Sequence, residues 1–89
     1  MEEIRKEYLF FGRVQGVGFR YRASHLALRR RISGFVTNEY DGSVRMEAQG
    51  KKEELTEFIK EISRGRWIEI DQIQEKDIPL EEGTGFYIR

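Results

Sequence analysis

The sequence predicts a ferredoxin-like α+β sandwich, in which a mixed or antiparallel sheet carries two helices on one face. Strand-like and helix-like segments follow one another in the order βαββαβ, and a glycine turn joins the two middle strands. The chain has 89 residues, of which 38% are hydrophobic, which suffices for one modest core. We therefore expect residues 1–89 to form a single domain, closed by a short extra strand.

The first strand is predicted over residues 6–14, where the segment KEYLFFGRV is aromatic and β-prone. Tyr8 and Phe10 occupy one alternating face, and Leu9 and Phe11 occupy the other. Because both faces are apolar, we expect this strand to be central and covered on both sides.

The first helix is predicted over residues 20–32, after a stretch rich in glycine. Its apolar stripe is narrow and consists of Ala23, Leu26 and Ala27. Arg30 lies on the continuation of the stripe, and Ser33 and Gly34 are expected to end the helix.

A hairpin is predicted in the middle of the chain. Residues 34–40 form its first strand, Asp41 and Gly42 its turn, and residues 43–49 its second strand. In the second strand apolar and polar residues alternate, which predicts one buried face and one wet face.

The second half of the fold begins with the most regular helix. Its apolar residues recur at helical spacing, namely Leu55, Phe58, Ile59 and Ile62. Gly65 predicts its end. Residues 67–75 then form a strand whose apolar phase changes between Ile70 and Ile73, which indicates a bulge. Residues 86–89 form the closing strand.

Composition excludes several kinds of site. The chain has no cysteine and one histidine, which excludes a disulfide framework, a thiolate or multi-histidine metal site and a cysteine nucleophile. We find no signal peptide pattern and no apolar run long enough to span a bilayer. We therefore expect a cytoplasmic protein with no membrane partner, and a monomer because the chain is highly charged and has no long apolar patches in its pattern.

Charge is balanced overall but divided along the chain. The chain has sixteen basic and sixteen acidic residues, so its formal net charge is zero, which argues against a nucleic-acid partner. Residues 1–45 nevertheless carry nine basic and five acidic side chains, most of the basic ones arginine. This asymmetry leaves room for a local anion site.

The stretch GRVQGVGFR, residues 12–20, is the candidate for that site. Backbone N–H groups of a glycine turn and of a following helix N-terminus can converge on a tetrahedral anion. Arg20 stands where the helix opens and offers a planar fork for two phosphate oxygens. The alternative is an ordinary tight turn with a surface arginine.

Together with GFVTNEYDGSVRMEAQG, residues 34–50, this stretch resembles the paired signature of the acylphosphatase family. The resemblance covers nearly the whole chain. It implies hydrolysis of the carboxyl-phosphate bond of small acyl phosphates without metal or cofactor, and inorganic phosphate or sulfate as ligands of the loop.

The resemblance also implies roles for individual residues. Arg20 is similar to the arginine that holds the phosphate, and Asn38 is similar to the asparagine that orients the attacking water. The implied phosphate cradle is the backbone of Gln15, Gly16, Val17, Gly18 and Phe19. For Asn38, a structural hydrogen bond beside the Asp41 turn is the competing interpretation.

Two departures from the family pattern lie away from both motifs. Gly65 is followed by Arg66 and Trp67 where the family commonly has two prolines, so we expect an altered entry to the next strand and an exposed Trp67. Arg30 and Arg31 stand where the family often has Leu-Gly.

Two other functions stay open: an RNA-binding module, which would need aromatic residues and a basic field on the sheet, and a regulatory domain that binds an anion without turnover.

Overall fold

The computed structural model of the chain describes residues 2–89. Its elements are β1 (Glu3–Arg13), α1 (Phe19–Arg30), β2 (Ser33–Asn38), β3 (Val44–Lys51), α2 (Lys52–Ser63), β4 (Glu69–Ile78) and β5 (Phe86–Ile88). The strands form one sheet in the order β4-β1-β3-β2-β5. All neighbouring strands are antiparallel except β2 and β5, which are parallel. The predicted ferredoxin-like α+β fold is confirmed.

One hydrophobic core fills the space between the sheet and the two helices. Alternate residues of β1 and β3 supply the sheet side, with Tyr8 opposite Met46 and Phe10 opposite Val44. The helices supply their apolar stripes: Phe19, Ala23, Leu26 and Ala27 from α1 and Leu55, Phe58 and Ile62 from α2. No helix within residues 2–89 is long and apolar enough to cross a membrane.

The other face of β1 corrects one prediction. The strand is central, as expected, but no helix covers its second face, where Leu9 and Phe11 are half-buried. Charged side chains lie on that face instead. Arg5 of β1, for example, is buried there and pairs with Glu47 of the neighbouring strand β3 at 3.0 Å. The two apolar phases of β1 therefore indicate a central strand and not a third layer.

The end of α1 also differs from the prediction. Arg31, and not Ser33 or Gly34, ends the helix, since its φ of 56° places it in the left-handed region. The Ile32 N–H donates to the Ala27 carbonyl at 3.0 Å, and the Ile32 side chain is buried. This apolar anchor holds the termination in place. Ser33 and Gly34 consequently begin β2.

Strand β4 lies at one edge of the sheet and is bulged as predicted. Its pairing with β1 shifts by one residue, because Phe11 lies opposite Gln72 whereas Gly12 lies opposite Ile70. The chain enters β4 through Trp67, which is 61% exposed and lies beneath the Arg66 guanidinium at 5.0 Å. The expected exposure of Trp67 is confirmed.

Candidate active site

The turn between β1 and α1 depends on glycine for its backbone conformation. Gly16 has a φ of 73° and Gly18 a φ of 82°, both in the region that side chains other than glycine rarely adopt. A Cβ added to either residue would meet no atom within 4 Å. The backbone conformation, and not a lack of space, therefore calls for glycine here.

The amides of this turn are free. Within residues 2–89 no backbone N–H from Gln15 to Tyr21 donates to a protein oxygen, and the first bond of α1 runs from the Arg22 N–H to the Gly18 carbonyl at 2.9 Å. Gly18 is the N-cap and has no side chain that could accept from these groups. The consecutive unpaired N–H groups and the helix dipole together favour an anion.

The first turns of the two helices differ in charge. The first turn of α1, residues 19–22, contains no acidic residue, whereas the first turn of α2 contains Glu53 and Glu54. Acidic side chains in a first turn interact favourably with the helix dipole. Their absence from α1 leaves that position for an external anion.

Arg20 lies in the first turn of α1 and is half-buried. Its Nη1 donates to the main-chain oxygen of Arg89 at 3.2 Å, its only hydrogen bond within the described part of the chain. A guanidinium has five N–H donors, so most of them stay available to a ligand. The bond ties the side chain to the segment that follows β5.

Asn38 is the last residue of β2, and its side chain is exposed. In residues 2–89 its side-chain amide makes no hydrogen bond, and the Thr37 hydroxyl donates to its main-chain oxygen. The competing interpretation, a structural bond to the Asp41 turn, is therefore wrong. The amide is free to hold a water molecule. It can donate a hydrogen bond to that water through its nitrogen and accept one through its oxygen.

The Asp41 turn is closed by its own residues. The Asp41 carboxylate accepts from the Ser43 hydroxyl at 2.6 Å and from the Ser43 N–H at 2.9 Å. These bonds, the one from the hydroxyl foremost, lower the pKa of Asp41 below its usual value. The turn thus supports the end of β2 without using Asn38.

Gln15 has a role that the sequence did not indicate. Its side-chain Nε2 donates to the main-chain oxygens of Glu39 and Ser43, each at 2.8 Å. The amide thereby links the turn before α1 to the hairpin that follows Asn38. The sequence offers no signal for this contact, because its partners lie 24 and 28 positions away.

One cavity of about 190 Å³ brings most of the candidate residues together. It is lined by Val14, Gly16, Gly18, Phe19, Arg20, Tyr21, Asn38 and Ile88. Of the residues implied to form the cradle, Gln15 and Val17 do not line it. Gln15 turns to the hairpin, and Val17 packs against the core.

The cavity also contains residues that sequence reasoning missed. Tyr21 and Ile88 line it with large apolar side chains that are partly exposed. Tyr21 had a usable signal, since it follows Arg20 in the first helical turn and lies off the apolar stripe. Ile88 had none, because its position depends on the parallel pairing of β5 with β2.

A larger cavity of about 490 Å³ is a weaker candidate. It lies between the open face of the sheet and residues 81–85. The Arg5 guanidinium on its wall already has protein partners, because it pairs with Glu47 and donates to Gln49 at 3.2 Å. Across residues 2–89 no cluster of three or more Asp, Glu or His residues is arranged to hold a metal ion.

Comparison with known proteins points to one family. The family model for acylphosphatase matches residues 6–88. A protein named acylphosphatase from Leuconostoc mesenteroides is 41% identical over 81 residues, which cover 89% of this chain and 90% of that one. One from Clostridium acetobutylicum is 49% identical over 69 residues, or 76% of each chain. The crystal structure of acylphosphatase from Bacillus subtilis is similar at a TM-score of 0.88 and 32% identity, covering 97% of this chain and 98% of that one.

Proposed function

The chain belongs to the acylphosphatase family and is a hydrolase of acyl phosphates, and we propose that the 190 Å³ cavity is where the reaction occurs. The observation that carries this assignment is the run of unpaired amides beside Arg20, in a cavity shared with Asn38. An anion receptor and a water-binding amide are the two parts that this hydrolysis needs.

The phosphoryl group binds to the turn. The free N–H groups of the turn, foremost those of Gly16, Gly18 and Phe19 in the cavity wall, donate to its oxygens, and the guanidinium of Arg20 adds a fixed positive charge. Inorganic phosphate, or sulfate in its place, binds to the same groups. These donors lower the energy of the transition state because they are aimed at the phosphoryl oxygens before the reaction begins.

Asn38 positions the water that attacks phosphorus. The water oxygen forms the new bond to phosphorus, the bond from phosphorus to the carboxyl oxygen breaks, and the carboxylate leaves with the electron pair. The proton of the water passes to a phosphoryl oxygen. Since a carboxylate is a good leaving group, positioning and charge compensation suffice and no strong side-chain base is required.

The substrate is accordingly a small-molecule acyl phosphate, and the proposed chemistry uses no metal or cofactor. We further propose that residues 1–89 act as one domain, as a cytoplasmic monomer and without a nucleic-acid partner. The single core shared by both helices supports the first point. Light scattering on the purified protein tests the monomeric state.

Hydrolysis of acetyl phosphate and benzoyl phosphate by point variants tests the site. We expect Arg20→Ala to lower kcat/KM by roughly 10²- to 10³-fold, the usual cost of removing one donor aimed at the transition state. Asn38→Ala lowers kcat by a similar factor with little change in the inhibition constant of inorganic phosphate. Arg29→Ala, an exposed arginine on the same helix, is the matched control and keeps wild-type activity.

Three outcomes contradict the proposal. If the wild type binds phosphate but turns over neither substrate, the chain is a regulatory anion-binding domain. If Arg20→Ala and Arg29→Ala have equal activity, the phosphoryl group binds elsewhere. Tight, salt-sensitive binding of single-stranded RNA by the wild type would favour the RNA-binding alternative.

A further inference from the structure

The cavity is lined by two chemically different groups of residues. Gly16, Gly18, Arg20 and Asn38 supply backbone or side-chain polar groups. Tyr21 and Ile88 supply large side chains whose apolar surface is still exposed, at 66% and 47%. Exposed apolar surface in a cavity offers a contact to the apolar part of a ligand.

Tyr21 is held in place by its own helix. Its ring packs against the His25 ring, one turn further along α1, with the centroids 4.3 Å apart and the planes tilted by 49°. Long side chains of a helix lean toward its N-terminus, which here carries the free amides. The phenol ring therefore lines the same cavity as the phosphate turn and has the His25 ring as a packing partner.

The lining of the cavity favours a position of the acyl group beside this ring. The cavity has a volume of about 190 Å³, and under the proposed function the phosphoryl group binds to the glycine turn and Arg20. The acyl group is bonded to the phosphoryl group through one oxygen and therefore lies next to it. Tyr21 and Ile88 are the apolar side chains there that have surface left to cover.

We propose that Tyr21 and Ile88 form the acyl-group contact surface, so that this protein selects acyl phosphates with aromatic or extended apolar acyl groups over acetyl phosphate. This inference rests on the proposed function, because it needs the phosphoryl group in the turn. An acetyl group is too short to cover the ring, whereas a benzoyl group can stack on it.

The test is the ratio of kcat/KM for benzoyl phosphate to that for acetyl phosphate. We expect Tyr21→Ala to lower kcat/KM for benzoyl phosphate about tenfold and for acetyl phosphate by less than about twofold, near the lower end of what one apolar group in a pocket contributes. Tyr21→Phe keeps the ratio, since the ring is retained. Ile88→Ala lowers the ratio in the same direction but less.

Leu28→Ala is the matched control. Leu28 is on the same helix, is 79% exposed and does not line the cavity, so its removal leaves the ratio unchanged.

A second measurement, of competitive inhibition, does not depend on turnover of the probe. Phenylphosphonate and methylphosphonate, as competitive inhibitors, should show the same loss of preference in Tyr21→Ala.

An unchanged ratio in both Tyr21→Ala and Ile88→Ala, or an equal loss for both substrates, would overturn this inference. Failure of the proposed function looks different, because the wild type would then hydrolyse neither substrate or would tolerate Arg20→Ala. A thermal unfolding curve for each variant identifies any loss that comes from unfolding.

Discussion

Two glycine turns lie at the same end of the sheet and use their backbone amides in opposite ways. In the hairpin turn, Glu39 and Gly42 donate to carbonyl oxygens of the turn, and Ser43 donates to the Asp41 carboxylate. In the turn before α1, the amides from Gln15 to Tyr21 donate to none within residues 2–89. The first turn satisfies itself, and the second keeps its donors for a ligand.

The difference teaches that positive φ at glycine has two separate uses. Gly42 has a φ of 95° and Gly18 a φ of 82°. A Cβ added to either residue would have no other atom within 4 Å. In the hairpin this conformation brings two strands together. Before α1 it directs the chain into a helix whose first amides are uncapped.

Replacing each glycine by alanine gives the largest expected contrast. A side chain in the left-handed region costs about 1–2 kcal/mol of unfolding free energy, so Gly18→Ala and Gly42→Ala should lose similar stability in urea denaturation. Only Gly18→Ala displaces the phosphate-binding amides, and misplacement of about 1 Å can lower turnover roughly 10²-fold. Gly42→Ala is thus the control for stability. Equal kcat/KM in the two variants would contradict the role of the first turn.

The bridge between the turns predicts an intermediate effect. Gln15→Leu removes both hydrogen bonds to the hairpin and should destabilise the fold by about 1–3 kcal/mol. Because Gln15 joins the phosphate turn to the strand that carries Asn38, we expect kcat to fall about tenfold, with a smaller change in the inhibition constant of phosphate. Gln72→Leu, on exposed β4, is the matched control. An unchanged kcat would limit Gln15 to a structural role.

The smallest expected difference between the two turns is the effect of acidic pH on the stability of the hairpin turn. The pKa of Asp41 is lowered in the folded state, so its ionised form stabilises the fold above its unfolded pKa near 3.8, and this contribution is lost as the pH falls through the lower folded pKa. The stability difference between the wild type and Asp41→Asn should therefore shrink below pH 3.8. Thermal unfolding of both proteins between pH 7 and pH 2 checks this. A difference that does not depend on pH would show that the charge of Asp41 is irrelevant to the turn.

The order of the elements could be predicted from the sequence because local periodicity determines it. The bulge in β4 and the apolar face of α2 are visible as phase and spacing. The end of α1 was not predictable in this way. Gly34, three residues beyond Arg31, gave the stronger local signal, yet burial of Ile32 favours the left-handed conformation at Arg31.

The candidate site was predictable only in part. The glycine turn and Arg20 suggested an anion site from residue chemistry, and the paired motif added Asn38. Contacts between distant parts of the chain escaped prediction: the bonds of Gln15 to the hairpin, the bond of Arg20 to Arg89, and the position of Ile88 beside Tyr21. These depend on how the strands are arranged, which no local pattern encodes.

The outermost strands of the sheet have a consequence for behaviour at high concentration. Strand β4 carries five charged side chains in ten residues and a bulge, and β5 at the opposite margin is three residues long. At β4, charged side chains and the bulge would hinder the pairing of an incoming β-strand. At β5, such a strand would find too few backbone groups to pair with. Such margins hinder the stacking of copies into fibrils, so the protein should stay dispersed when concentrated.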